Sequence, residues 1–263
     1  MDSRRSHIRL DSRVERILRS AGKLNVRLGI GYESSLAAAE RRDIVVAIDV
    51  LRCSSSIVTA LANGAKAVIP AVSLREARLL SRVHSGILAG ERKGMRQKGF
   101  ELGNSPLEFT REKVKGRTVV LTTTSGTKAI VLGKKARGVL VGSLLNLNAT
   151  ARLAGKLAKS SKSGISLITA GTSGRFSLED FLCAGALSDL FAREGDMLDD
   201  GCIAAAHAYR RVQADICSAV REGFHARYLK SISLIDDVTF STQVNLFDIA
   251  AVLKADRIVA VKP

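Results

Sequence analysis

Tryptophan is missing altogether from these 263 residues, and aromatic side chains make up only 4% of them. That scarcity bears on the formal charge of +16 at pH 7. An excess of Lys and Arg gives affinity for nucleic acid through counterion release. Single-strand binders, however, usually interleave aromatic stacking platforms with the basic groove, and here the basic residues are spread along the chain. Both facts argue against specific nucleic-acid recognition and for a general positive field that draws in small anions.

Cysteine and histidine are sparse too, with four of each. Cys53, Cys183, Cys202 and Cys217 lie far apart without a Cys-x-x-Cys pair, and the histidines are scattered, so no zinc framework of the usual spacing exists. A chain of this length buries a substantial core and needs no disulfide staple, so four reduced, mostly buried thiols are expected. Apolar runs such as Ile44 to Ile48 are broken by charge well short of the ~20 residues a membrane span needs. The opening stretch is basic but has no continuous apolar h-region, which argues against a secretory signal. A soluble cytoplasmic protein is expected. Residues 1–23 read as a basic extension and 24–263 as one α/β domain, with two similar subdomains as the alternative.

Against these absences stands a threefold pattern. Ile44-Val-Val-Ala-Ile48 leads into Asp-Val-Leu-Arg-Cys-Ser-Ser-Ser and a helical stretch from Ile57 to Asn63, with Gly64 as the residue after the helix. Val119-Val-Leu121 leads into Thr-Thr-Thr-Ser-Gly-Thr and a helix former. Ile165-Ser-Leu-Ile168 leads into Thr-Ala-Gly-Thr-Ser-Gly-Arg-Phe-Ser and another helix. Buried strand, hydroxyl- and glycine-rich turn, then helix predicts a largely parallel or mixed sheet covered by helices. Such turns gather at the carboxyl edge of the sheet, where ligands usually sit. Unpaired N–H groups at the helix starts suit an anion such as phosphate. The bland alternative is that Ser54, Thr127 and Ser177 are ordinary N-caps.

Between the units, Ser73-Leu-Arg-Glu76 is a capping box that opens a helix to about Val83. Gly86 to Arg92 is a short strand ending in charge, and Gly94 to Phe109 is a long loop with Gly103-Asn-Ser-Pro106 as a turn. Asn148 can cap a helix to about Lys159. Asp200 to Glu222 reads as one long amphipathic helix, Gly223 opens another, and Arg257 to Val261 forms a last strand.

Five motifs stand in this order: Ile48-Asp-Val-Leu-Arg52, Leu88-Ala-Gly-Glu-Arg92, Gly99-Phe-Glu-Leu-Gly-Asn-Ser-Pro106, Thr122-Thr-Thr-Ser-Gly-Thr127 and Gly171-Thr-Ser-Gly-Arg-Phe-Ser-Leu-Glu-Asp180. Together they closely resemble the 2-phosphosulfolactate phosphatase family of coenzyme M biosynthesis, from about Leu24 to the C-terminus. The resemblance implies an α/β fold peculiar to that family. It also implies a Mg2+-dependent acid phosphatase that turns 2-phospho-3-sulfolactate into 3-sulfolactate and phosphate. The chain departs from the family pattern at Cys53-Ser-Ser-Ser56, Ser125 and Ser173. It departs again at Ser241-Thr-Gln-Val-Asn245, where the pattern ends in Asp.

Roles can then be assigned. Asp49 ends an apolar run, where a carboxylate is costly to bury without a partner. Mg2+, which prefers carboxylate and phosphate oxygens, would supply one. Nucleophile, general base, or ion pair with Arg52 are the alternatives for Asp49. Glu91 repeats that logic, and Glu179 and Asp180 complete the expected metal set, although both also suit the first turn of a helix capped by Ser177. Asp49, Arg52, Glu91 and Glu179 are the expected catalytic residues. Arg92 and Arg175, with Arg52, offer guanidinium forks that match tetrahedral oxyanions. Ser54, Ser55, Asn104, Ser105, Thr123, Thr124, Ser125, Gly126 and Thr127 complete the expected phosphate site. Cys53 and Cys183 lack the Cys-x5-Arg loop of a thiol phosphatase and read as buried structural thiols. His207 reads as a packing or surface histidine, while His225 matches a family position and is a candidate acid. Another phosphorylated hydroxy acid as substrate, or a non-catalytic anion or nucleic-acid binder, are the competing readings. A homo-oligomer is left open.

Overall fold

The computed structural model describes residues 22–172 and 175–263. The basic extension expected over 1–23 therefore lies, but for its last two residues, outside the described residues, as does Ser173. The strands among them are β1 (Asn25–Ile30), β2 (Ile44–Ile48), β3 (Ala67–Ala71), β4 (Ile87–Arg92), β5 (Met95–Arg96), β6 (Thr118–Thr122), β7 (Gly138–Gly142), β8 (Ile165–Thr169), β9 (Met197–Leu198), β10 (Ala250–Lys254) and β11 (Arg257–Val261). The helices are α1 (Ser34–Glu40), α2 (Cys53–Ala62), α3 (Leu74–His84), α4 (Arg111–Val114), α5 (Gly126–Leu132), α6 (Leu147–Ser161), α7 (Leu178–Arg193), α8 (Asp200–Val212), α9 (Ile216–Arg221), α10 (Phe224–Ser231) and α11 (Ile235–Ser241).

All strands join one sheet in the order β5-β4-β6-β3-β11-β10-β7-β2-β8-β1-β9. Two parallel blocks, β4-β6-β3 and β7-β2-β8-β1-β9, are the α/β architecture expected. Between them sits an antiparallel hairpin, β10–β11, which pairs with β7 on one side and β3 on the other. Every residue of β2 and of β8 is buried, as a strand covered on both faces requires. Ile44, Val46 and Ile48 face a core built with α6, α7 and α8, while Val45 and Ala47 face one built with α1, α2 and α5. Each such fully buried Ile or Val contributes about 1.5–3 kcal/mol. Among the described residues no helix is long and apolar enough to cross a membrane.

Local details depart from the sequence reading. Helix α2 begins at Cys53, four residues before the expected start, because its hydroxyls bond to carbonyls of the preceding turn: Ser54 Oγ to Asp49 O (2.7 Å) and Ser55 Oγ to Val50 O (2.8 Å). Ser54 and Thr127 consequently lie inside helices, and neither is an N-cap; Arg52 and Ser125 hold those positions. Ser177 does occupy the N-cap of α7, without a side-chain cap bond. Asn148 lies inside α6, whose entry is organised earlier by Ser143 and Asn146 in a reciprocal capping box. The long helix expected over 200–222 is broken after Val212, because the Asp215 carboxylate accepts the Ser218 amide (3.1 Å) and caps a new helix.

Candidate active site

At the carboxyl edge of the parallel strands, Asp49 follows β2, Glu91 lies near the end of β4, Thr123 follows β6 and Gly171 stands two residues after β8. The topological rule for such sheets places ligands there, and a cleft of about 530 Å³ opens at this edge. Its walls include Asp49, Arg52, Glu91, Arg92, Lys93, Asn104 and the Thr123-Thr-Ser125 turn, together with Phe224, His225 and Tyr228 of α10.

Asp49 is held by backbone. Its Oδ1 accepts the Cys53 amide (3.2 Å) at the start of α2. A side chain at Gly126 would overlap Asp49 Oδ2 and lie 2.5 Å from Cys53 Cβ, so only glycine lets α5 come this close. Burial pushes the Asp49 carboxyl up to about 7; the Cys53 amide opposes this, and the charges of Glu91 and Glu179 add to it. Replacing Gly126 with Ala is expected to cost about 1–3 kcal/mol through overpacking. It should also depress kcat by displacing Asp49. Thermal unfolding and phosphate release measured together check both effects.

Glu91 is buried and held at both oxygens: Oε1 accepts the Thr124 amide (2.9 Å) and hydroxyl (2.8 Å), while Oε2 accepts only the Gly94 amide (2.8 Å) and keeps a second lone pair. Gly90 before it has φ +150, and any Cβ there would collide with the Thr122 carbonyl. Glu179 lies behind the lining rather than in it; burial raises its carboxyl, and its charge reaches Asp49. Asp180 does not point a free oxygen at the cleft. Its Oδ1 accepts the Val50 amide (2.8 Å) and its Oδ2 that of Gly171 (3.0 Å), so it ties the β2 turn to the β8 turn. Burial, with the charges of Asp49 and Glu179, pushes it well above the usual range.

Several other expected ligands are occupied elsewhere. Arg52 does not pair with Asp49: its Nη1 meets Asp237 Oδ2 (2.6 Å) and its Nη2 the Gly94 carbonyl (2.5 Å), though it still lines the cleft. Ser105 donates to Asp237 Oδ1 (2.5 Å). Ser54 and Ser55 turn their hydroxyls to backbone, and Ser55 also meets Ser143 (2.9 Å). Thr127 bonds back into the Thr123 turn. Arg175 exchanges backbone hydrogen bonds with Thr172 and leaves its side chain exposed, outside the lining. Arg92 donates to Glu91 O (2.6 Å) and Thr122 Oγ1 (3.1 Å), and remains in the wall. Asn245, the departure from the family pattern, accepts the Asn148 amide (2.8 Å) at an exposed position outside the cleft.

His225 lies in the wall, stacked on Tyr228 with centroids 6.0 Å apart. Burial and then the Arg52 charge lower its pKa, which keeps the ring neutral near pH 7. Tyr228, Phe224, Lys93 and Asp237 were not singled out in the sequence. Lys93 alone had a local signal, since it continues the Leu88-to-Arg92 motif.

The donor set can be tested for a hard cation. Among the described residues no three acidic, thiol or imidazole groups converge into a ready-made cage. Mg2+ does not need one, because it is usually held by one or two carboxylates with waters and substrate phosphate oxygens. Asp49 and Glu91 face one cleft, and the buried Asn104 Oδ1 in its wall has no hydrogen-bond partner. Two carboxylates that repel each other in one cleft, whose wall also holds an unsatisfied amide oxygen, fit such an ion.

Residues 32–256 match the family described as 2-phosphosulpholactate phosphatase. The probable 2-phosphosulfolactate phosphatase of Thermotoga maritima is 44% identical over 205 residues, covering 77% of this chain and 85% of that protein. Its counterpart in Caldanaerobacter subterraneus is 40% identical over 214 residues, 80% of this chain and 87% of that protein. That of Clostridium perfringens is 37% identical over 246 residues, 91% and 97%. The matched stretch takes in every residue of the cleft wall, and the chain belongs to the 2-phosphosulpholactate phosphatase family.

Proposed function

We propose that this protein is a Mg2+-dependent phosphatase that hydrolyses 2-phospho-3-sulfolactate to 3-sulfolactate and inorganic phosphate, a reaction of coenzyme M biosynthesis. One observation carries the reading: two carboxylates, Asp49 and Glu91, share a cleft with the cations of Arg52, Arg92 and Lys93. A cleft that only bound anions would be weakened by those carboxylates unless a cation offset them.

Asp49 and Glu91 would hold the ion, in a cleft whose wall also contains Asn104. Bound there, Mg2+ supplies charge neutralisation and polarises the phosphoryl group. Arg92 and Lys93 hold substrate oxyanions at the wall, and the substrate's carboxylate and sulfonate give them more than one anion to meet. Ser125 lies in the same wall and would orient the ester, while the Thr123 oxygen accepts the Thr127 amide (3.2 Å) and shapes the turn. Charge in the transition state spreads over the phosphoryl oxygens, so positioning and electrostatics do most of the work. Neutral His225, whose N–H meets the Leu51 backbone, would take the proton of the attacking water on its other nitrogen, and the departing alkoxide would take a proton from solvent.

A panel of 2-phospho-3-sulfolactate, phospholactate and phosphoglycolate, assayed for phosphate release with Mg2+ and with EDTA, tests the reading. The expected result is preference for the sulfonated substrate. Preference for another ester keeps the chemistry and changes the substrate. Salt-sensitive DNA binding with no turnover of any ester overturns the enzymatic reading altogether.

A further inference from the structure

Helix α11 carries a buried carboxylate, Asp237, that the chemistry above leaves unused. Both of its oxygens are taken: Oδ2 by Arg52 Nη1 (2.6 Å) and Oδ1 by the Ser105 hydroxyl (2.5 Å). Arg52 is only 3% exposed and passes its other nitrogen to the Gly94 carbonyl (2.5 Å). The Gly94 amide donates in turn to Glu91 Oε2 (2.8 Å), whose second oxygen is held by Thr124. Tyr228 OH secures the neighbouring Lys93 carbonyl (2.9 Å). A continuous chain of hydrogen bonds thus runs from α11 through the cleft wall to the carboxylate at the end of β4.

We propose that Asp237 is a positioning residue for the hydrolysis. It fixes Arg52, and through Arg52 and the Lys93-Gly94 turn it fixes the direction of Glu91. The inference rests on the reading that Glu91 serves the reaction. A guanidinium this buried needs a carboxylate. With Asp237 in place, that carboxylate comes from α11, and Glu91 keeps its own charge for the cleft. Without Asp237, the acids that share the cleft with Arg52 are Glu91 and Asp49 themselves, and Arg52 would be drawn toward the groups that the reaction uses. Displacements of about 1 Å in such a shell cost about 10²-fold in rate.

The test is a double-mutant cycle on the full chain, using whichever phosphoester the wild type hydrolyses best. Asp237→Asn, which keeps shape and removes charge, is expected to lower kcat by about 10²-fold with KM changed less than threefold. Asp237→Glu should recover part of that loss. Arg52→Gln combined with Asp237→Asn should be no slower than the slower single variant, because both act through one contact. Multiplying losses, a change confined to KM, or a fall in melting temperature with kcat intact would each overturn the proposal. Should Asp237→Asn not fold, Arg52→Met with Asp237→Leu removes both charges of the pair and leaves neither unpaired. A folded protein of wild-type kcat then overturns the proposal, as does one slower than Arg52→Met alone, whereas one as slow as Arg52→Met with KM changed less than threefold supports it. A wild type that turns over no phosphoester sinks the functional reading, whereas an active wild type with an additive cycle sinks the role of Asp237 alone.

Discussion

Asp49→Asn is expected to lower kcat for phosphate release by about 10³-fold, and at the same time to raise the melting temperature of the metal-free protein above pH 7. The first effect follows from position. Asp49 stands where β2 delivers the chain to the cleft, between the N–H of Cys53 and the start of α5. Removing one preorganised electrostatic partner of a reacting phosphoryl group costs about 10²–10³-fold, and loss of a metal-holding carboxylate adds to that. The second effect follows from the cost of holding the charge. Burial and the neighbouring charges of Glu91 and Glu179 raise Asp49 to about 7 from its ordinary 3.8. Above that pH the folded state carries an anion it disfavours, on the order of a few kcal/mol. Asparagine keeps the shape and removes the repulsion, a trade of stability against activity common at active sites. Steady-state kinetics and thermal unfolding in EDTA check the pair of effects. A variant that is destabilised, or that keeps more than a tenth of wild-type kcat, contradicts the assignment.

Removal of the cation should have a larger effect at high pH than at low. EDTA is expected to reduce phosphate release at least 10²-fold, with recovery on adding Mg2+. Stability should respond with a definite sign. Asp49, Glu179 and Asp180 all have folded-state values raised above the ordinary ones. Between about pH 4 and 7 the metal-free folded protein keeps protons that the unfolded chain has released. Unfolding then releases protons, and stability falls as pH rises through that window. His225, lowered by burial, works in the opposite sense below pH 6.5, but it is one group against three. Because Mg2+ would replace the proton on Asp49, its addition should raise the melting temperature strongly at pH 8 and little at pH 5. Equal shifts at the two values, or metal-free stability that climbs from pH 5 to 8, would dispose of Asp49 as part of a cation site.

Much of the architecture is local and could be read along the chain. The strands β2, β6 and β8 are apolar runs ending in hydroxyl-rich turns, and each is followed by its helix. Ser73 caps α3 as its spacing predicts, accepting the Glu76 amide (3.1 Å). Glu91 was legible because charge ends an apolar strand. The hairpin β10–β11 was only half legible: its second strand is a clear apolar run, but its place in the middle of the sheet depends on pairing with β7 and β3, far upstream. The break in the 200–222 helix turned on one aspartate choosing a cap over a surface position.

What the order of residues determined unaided is the series of strand-turn-helix units and the placing of acids and hydroxyls at strand ends. Backbone hydrogen bonding and apolar periodicity act over a few residues, so neighbouring residues suffice to specify them. Which of those polar groups face the cleft was decided only by tertiary structure. Asp180 became a brace, Arg52 found Asp237 185 positions away, and α10 brought His225 and Tyr228 into the cleft wall. A polar side chain takes its role from whatever stands opposite, and folding draws that partner from any part of the chain.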